Sequence, residues 1–254
     1  MAYTIEITDE TIIFEINRPT IHNAINAEVM EGFKQFINQI KTNNSLKIGV
    51  ITGAGEKSFC SGGDLSVFHQ LKTEKESYRM LSETAKVLYE VATLPIPIIA
   101  LINGTAVGGG CEIATLCDYR LVKKDAKCGF IQGKLAITSG WGGGTYLLEK
   151  GMRHDHALQM LTEAVPYPSD HLLAIGWATE VFEGEKLDAL QKFIEKMIVP
   201  HATVLQAYKM QAIRKWEQTK LYDRIMEEVA ACSILWEQEI HHDAVNTFLK
   251  NKKV

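Results

Sequence analysis

Apolar and polar positions alternate in two different rhythms through the first half of the chain. "TIIFEIN" (residues 11–17) and "KIGVITG" (47–53) are short, β-branched and bounded by polar or glycine positions, which predicts strands. Between them "NAEVMEGFKQFINQIK" sets Val29, Phe33, Phe36, Ile37 and Ile40 at intervals of three and four, the spacing of one helix face. A second helix is predicted over residues 74–92, then a buried strand, "IPIIALI" (96–102), and a helix starting near Cys111. Strands follow at 118–124 and 127–131. Such alternation argues for stacked ββα or βαβ units. From about Leu187 the rhythm is helical throughout, in "KLDALQKFIEKMI", "ATVLQAYKMQAIRKW", "LYDRIMEEVAACSILWEQ" and a last stretch near 243–249. No low-complexity linker separates this region from what precedes it, so it reads as a helical extension.

Composition changes this picture little. With 254 residues, 46% of them hydrophobic and 23% charged, the chain has room for one large α/β domain or a domain plus an extension. A net charge of -4 and a pI near 6.1 argue against a nucleic-acid partner. "MAYTIEITDE" has neither a basic nor an apolar leader region, so no signal peptide is expected, and the run at 94–102 is too short to span a bilayer. Five cysteines (Cys60, Cys111, Cys117, Cys128 and Cys232), odd in number and without a C-x-x-C pair, predict free thiols in a reducing, cytoplasmic setting. The sequons at Asn43 and Asn103 then carry no meaning.

Two glycine-rich stretches bring in chemistry. "AVGGGCEIAT" (106–115) places Gly108, Gly109 and Gly110 directly before a helix that carries Glu112. Alone it fits either a tight turn or a helix start whose bare N–H groups face a ligand oxygen. "GEKSFCSGGDL" (55–65) repeats the arrangement, with Gly62 and Gly63 before an apparent helix and Asp64 placed as a first-turn charge. Two such units can aim two backbone donors at one point, which is an oxyanion hole for an enolate or tetrahedral oxygen.

"NRPTIHNAIN", "KSFCSGGDL" and "NGTAVGGGCEIATLCDYRL", in that order and spacing, resemble the crotonase (enoyl-CoA hydratase/isomerase) superfamily over essentially the whole chain. The resemblance implies an α/β fold, a spiral core of repeated ββα units over residues 1–189 holding the acyl-CoA site, with a helical oligomerisation region over 190–254. It implies oxyanion donors at the N–H groups of Gly63 and Gly109, a catalytic carboxylate at Glu112, and coenzyme A contacts from Ala24 and Lys57. It further implies a homo-trimer or hexamer, with the basic tail "LKNKKV" near a neighbour's nucleotide. Coenzyme A is then part of the substrate, and no separate cofactor or metal is expected.

One feature departs from hydratases of that family, which carry a second glutamate about twenty residues on, before a glycine-rich turn. Here "CGFIQGKLAITSGWGGGTYLL" keeps the turn but has no carboxylate, and its place falls to Gly133 or Lys134 depending on a one-residue gap. Hydration is usually drawn with two carboxylates sharing the water and the α-proton. A single one suits a double-bond shift or a decarboxylation, and "SGWGGGT" is similar to the short-chain alkylmalonyl-CoA decarboxylase branch. Thr138 and Ser139 are neutral donors nearby, and residues 66–86 are expected to line the acyl pocket.

An ordinary enoyl-CoA hydratase is the alternative within this class. A Clp-like serine peptidase would use Ser61, but no G-x-S-x-G elbow is present and no histidine is placed by motif. An RNA-binding module conflicts with the acidic pI. His154 and His156 lie two apart and share no helix face, so no metal site is expected, and His69 reads as a helix histidine. "ITGAGEKS" fails as a P-loop at Glu56, and "SGWGGGT" fails as a dinucleotide turn.

Overall fold

The computed structural model describes residues 1–251. The chain runs β1 (Tyr3–Thr8), β2 (Thr11–Ile16), α1 (Ala27–Thr42), β3 (Ile48–Gly53), β4 (Ser58–Cys60), α2 (Leu65–Phe68), α3 (Glu74–Ala92), β5 (Ile98–Ile102), β6 (Thr105–Val107) and α4 (Gly109–Leu116). It continues through β7 (Tyr119–Lys123), β8 (Lys127–Gly129), α5 (Gly143–Glu149), α6 (His154–Thr162), β9 (Tyr167–Pro168), α7 (Ser169–Ala174) and β10 (Glu180–Phe182). Four helices complete it: α8 (Lys186–Ile194), α9 (Ala202–Gln218), α10 (Leu221–Trp236) and α11 (Glu239–Asn251).

The strands sort into a six-stranded sheet ordered β1-β2-β3-β5-β7-β10 and a four-stranded sheet ordered β4-β6-β8-β9. Successive units place one strand in each sheet and then a helix: β3, β4 and α2–α3; β5, β6 and α4; β7, β8 and α5. Neighbouring strands from successive units pair in parallel in both sheets. This is the repeated ββα spiral, and it explains the run of apolar residues in β3 and β5, which are buried along their whole length.

The large core lies between the six-stranded sheet and helices α1, α3 and α4, with Phe14, Phe33 and Phe36 in ring contact at its centre. A smaller apolar cluster, in which Ile48, Val50, Ile99 and Leu101 meet Leu190 and Ile194, seats α8 on the opposite face of that sheet. α10 lies along α3, where Tyr89 and Tyr222 are in ring contact at 5.0 Å and Trp236 Nε1 donates to the Leu71 carbonyl. The helical tail thus folds back over its own core.

The longer predicted elements lie close to their observed bounds. The hydropathy pattern does not mark β4 and β6, since three residues are too few for an alternation to show. Each glycine turn therefore follows one of these short strands rather than the long strand before it. α4 also begins at Gly109, ahead of Cys111, so the glycine run is itself the first turn of the helix.

Candidate active site

β4 and β6 pair in parallel, Ser58 with Thr105 and Cys60 with Ala106, so the turns that leave them lie side by side. Gly62 (φ +93°) and Gly108 (φ +57°) take left-handed backbone that a side chain disfavours. A Cβ on Gly62 would stand 2.8 Å from the Gly109 nitrogen, which measures how closely the turns approach. The next residue in each turn, Gly63 and Gly109, has an N–H with no hydrogen-bond acceptor among the described residues. The Phe68 ring lies against Gly63 and the Trp141 ring against Gly109; an added Cβ at either glycine would sit 2.2 Å from a ring carbon.

Glu112 stands one turn into α4 and is buried. Its Oε2 accepts from the Trp141 and Gly143 amides at 2.8 and 2.9 Å, and its Oε1 from the Gly140 amide at 3.3 Å. These donors belong to a third glycine-rich stretch, "SGWGGGT", which makes the entrance to α5. Gly143 is required there by space, since a Cβ would lie 2.4 Å from Glu112 Cγ. Burial, and then the nearby Glu228 carboxylate, push the Glu112 pKa up to about 7 against the pull of the three amides. A group poised near neutrality can both take and return a proton.

The fourth partner of Glu112 is Gln132, whose Nε2 donates to Oε1 at 2.8 Å. The place facing Glu112 thus belongs to neither Gly133 nor Lys134. A 3-10 turn over Gln132–Leu135 ends at Ala136 in left-handed backbone (φ +57°); it turns Gln132 inward and leaves Gly133 and Lys134 exposed. The separation was itself a usable signal, because Gln132 lies 20 residues after Glu112. Among the described residues, the Gln132 Oε1 atom is buried without a hydrogen-bond partner.

Ala24 is held beside the first glycine turn. Asn23 accepts left-handed backbone (φ +55°) and donates to the Ala54 and Ser58 carbonyls, while Ile25 N–H donates to the Gly62 carbonyl and Asp64 N–H to the Ile25 carbonyl. Ala24 itself is buried, with its carbonyl accepting from Arg18 at 2.7 Å. Asp64 caps α2 through the Ser66 N–H and pairs with Arg18 at 2.9 Å, a structural role. Lys57 is exposed immediately before β4. Ser139 accepts from the Gly144 amide, Thr138 is exposed, and neither hydrogen-bonds Glu112.

The geometry gives the serine peptidase reading no support. Ser61 has no histidine side chain hydrogen-bonded to it among the described residues, and its N–H donates to the His22 carbonyl. The five cysteines are free and buried, and burial pushes Cys60 up to about 12, which makes it inert. His69 Nδ1 contacts the Leu65 carbonyl. No cluster of three or more metal-binding side chains occurs among the described residues, and among them no helix is long and apolar enough to cross a membrane. An open depression of about 290 Å³ lined by Leu71, Glu76, Arg79, Met80 and Glu83 falls within the segment expected to line the acyl pocket. In "LKNKKV", Lys250 is exposed and Lys252 and Lys253 lie outside the described residues.

This spiral of ββα units, with two glycine amides lacking an acceptor among the described residues and a buried carboxylate poised near neutrality, belongs with enzymes acting on coenzyme A thioesters. The Enoyl-CoA hydratase/isomerase family profile matches residues 6–253, and the chain belongs to that family, within the crotonase superfamily. It is 32% identical over 243 residues to a short-chain-enoyl-CoA hydratase of Clostridium acetobutylicum, covering 95% of this chain and 92% of the other. It is 30% identical over 226 residues to an ethylmalonyl-CoA decarboxylase of Xenopus tropicalis, covering 87% and 74%. The fold matches that of an enoyl-CoA hydratase from Bacillus halodurans with a TM-score of 0.87 at 20% identity, covering 97% of this chain and 100% of the other.

Proposed function

We propose that this enzyme works on an acyl-CoA thioester through an enolate, with Glu112 as its one proton-transferring carboxylate, and that its reaction is a decarboxylation or a double-bond isomerisation. The observation that carries the reading is the Glu112–Gln132 contact. A carboxamide can hold a water or a substrate group, but it does not take up a proton near neutral pH, so Glu112 has no acid/base partner at that position. The Gly63 and Gly109 amides receive the thioester oxygen as it gains charge. In isomerisation Glu112 removes a proton from one carbon and returns it to another. In decarboxylation the departing carbon dioxide leaves the electron pair in the enolate, and Glu112 has only to deliver a proton.

Two observations favour the second reading, an ordinary hydratase. The relative in Clostridium acetobutylicum is a hydratase, and the unpartnered Gln132 Oε1 can accept from a water. Ala24 and Lys57 are assigned to the coenzyme A part of the substrate, and no further cofactor or metal is assigned. The same reading takes the enzyme as a cytoplasmic homo-trimer or hexamer, with neither nucleic acid nor membrane as partner. Exposed Val204 and Tyr208 on α9, Ile234 on α10 and Ile240 on α11 supply apolar surface for such an assembly. Purified protein tested against crotonyl-, 3-enoyl-, methylmalonyl- and ethylmalonyl-CoA, with products identified by mass, decides. The reading expects turnover of a 3-enoyl or malonyl-type thioester; efficient turnover of crotonyl-CoA alone, to the hydrated product, would overturn it.

A further inference from the structure

The "SGWGGGT" turn that holds Glu112 holds a second carboxylate, and it comes from the helical tail. Glu228 on α10 accepts from the Gly144 amide at 3.2 Å through Oε1, and from the Thr145 amide and hydroxyl at 2.7 and 2.6 Å through Oε2. Five amides of one short turn are therefore divided between two acidic side chains, three to Glu112 and two to Glu228. The contact is not an isolated one. Ile225, Glu228 and Cys232 lie three and four residues apart on one face of α10, and all three meet the turn. A Cβ on Gly142 would stand 2.9 Å from Ile225 side-chain carbons, and one on Gly140 3.0 Å from Cys232 Sγ, while Cys232 Sγ also reaches the Thr138 carbonyl.

We propose that Glu228 is a positioning residue for the reaction: through the shared turn it fixes the amides that grip Glu112, and it sets a second carboxylate beside the proton-transferring one. The inference rests on the reading of Glu112 as the proton-transferring group. Two like charges on one turn are unfavourable unless function or further bonding compensates. A neutral acceptor at position 228 would satisfy the Gly144 and Thr145 amides without that cost. The groups facing the pair include Gln132 from the 3-10 turn, which carries no charge, and Cys111 beside Glu112 on α4, Tyr146 on α5 and Cys232 on α10, neutral in the working range because burial pushes the thiols and the phenol upward. The Glu228 carboxylate is the charge among them, and it acts second only to burial in raising Glu112.

The test is exchange of the α-hydrogens of butyryl-CoA with deuterium oxide, followed by mass against pH, which reads proton transfer to and from the enolate without depending on the net reaction. Glu228→Gln keeps the size and removes the charge, so the midpoint of the exchange profile falls by on the order of one pH unit. Glu228→Asp keeps the charge but reaches less far, so the midpoint stays near that of the wild type while the rate falls by about tenfold. A folded Glu228→Gln protein with an unshifted midpoint overturns the proposal, and so does Glu228→Asp exchanging at the wild-type rate. Exchange by the wild type that persists undiminished in Glu112→Gln overturns instead the reading on which it rests, as does a wild type that exchanges nothing.

Discussion

Glu112 is held between opposing demands. Burial favours its neutral form, three amides favour its anion, and the balance falls at a pKa of about 7. Replacing it with glutamine keeps the shape and removes the titrating proton, so α-hydrogen exchange is expected to fall by roughly 10²–10⁴-fold, the usual contribution of a general acid/base. The same balance has a signature in stability. Because the folded pKa lies above that of the unfolded chain, the folded state binds the extra proton between pH 4.5 and about 7. Stability from this group is present below that window and is lost as pH rises through it. Urea denaturation of wild type and Glu112→Gln should therefore show the difference shifting in favour of the variant from about pH 4.5 to 7; a pH-independent difference would count against the raised pKa. Glu112 was legible because a glycine run announces it. Gln132 was harder to read, since the length of the 3-10 turn and its left-handed stop at Ala136 decide which side chain turns inward. Glu228 was not legible at all: its partners lie 83 and 84 residues away, and a glutamate on a helix reads as solvated.

At the scale of elements, the site is made by two three-residue strands. β4 and β6 carry too few residues to register in a hydropathy pattern, yet their parallel pairing brings the two glycine turns together. α1 and α3 were readable because a helix of four or five turns repeats its apolar face enough times to be recognised. The tightest joint between these pieces is Gly110, where a Cβ would stand 2.0 Å from the Cys60 carbonyl oxygen. Backbone of a paired strand cannot rotate aside as a side chain can. Gly110→Ala should consequently destabilise the fold by about 1–3 kcal/mol, the usual range for overpacking, measured as a lower urea midpoint. An unchanged midpoint would show that α4 shifts freely on β4, and the placement of Gly109 and Glu112 would lose its support.

For the whole molecule, the tail presents two kinds of surface. One face of α10 closes over α3 and the glycine turn of its own chain, as the Tyr89–Tyr222 and Glu228 contacts show. Large apolar side chains remain on outward faces, among them Tyr208 at 69% and Ile240 at 63% exposure. The helical rhythm of the tail was plain in the sequence, but which face would meet its own core depends on contacts more than a hundred residues apart, such as Trp236 with Leu71. Sedimentation at micromolar concentration is expected to show a trimer or hexamer, and a stable monomer would contradict that assembly. The side chain opposite Glu112 decides the chemistry, and hydration of crotonyl-CoA, followed by product mass in wild type and in Gln132→Glu, reads its effect. With a carboxamide there the wild type should add water slowly, and the variant, carrying a second carboxylate, should be faster by about a hundredfold. A wild type that hydrates crotonyl-CoA rapidly, with no gain in Gln132→Glu, would show that water is activated here without a second carboxylate and would contradict that role of Gln132.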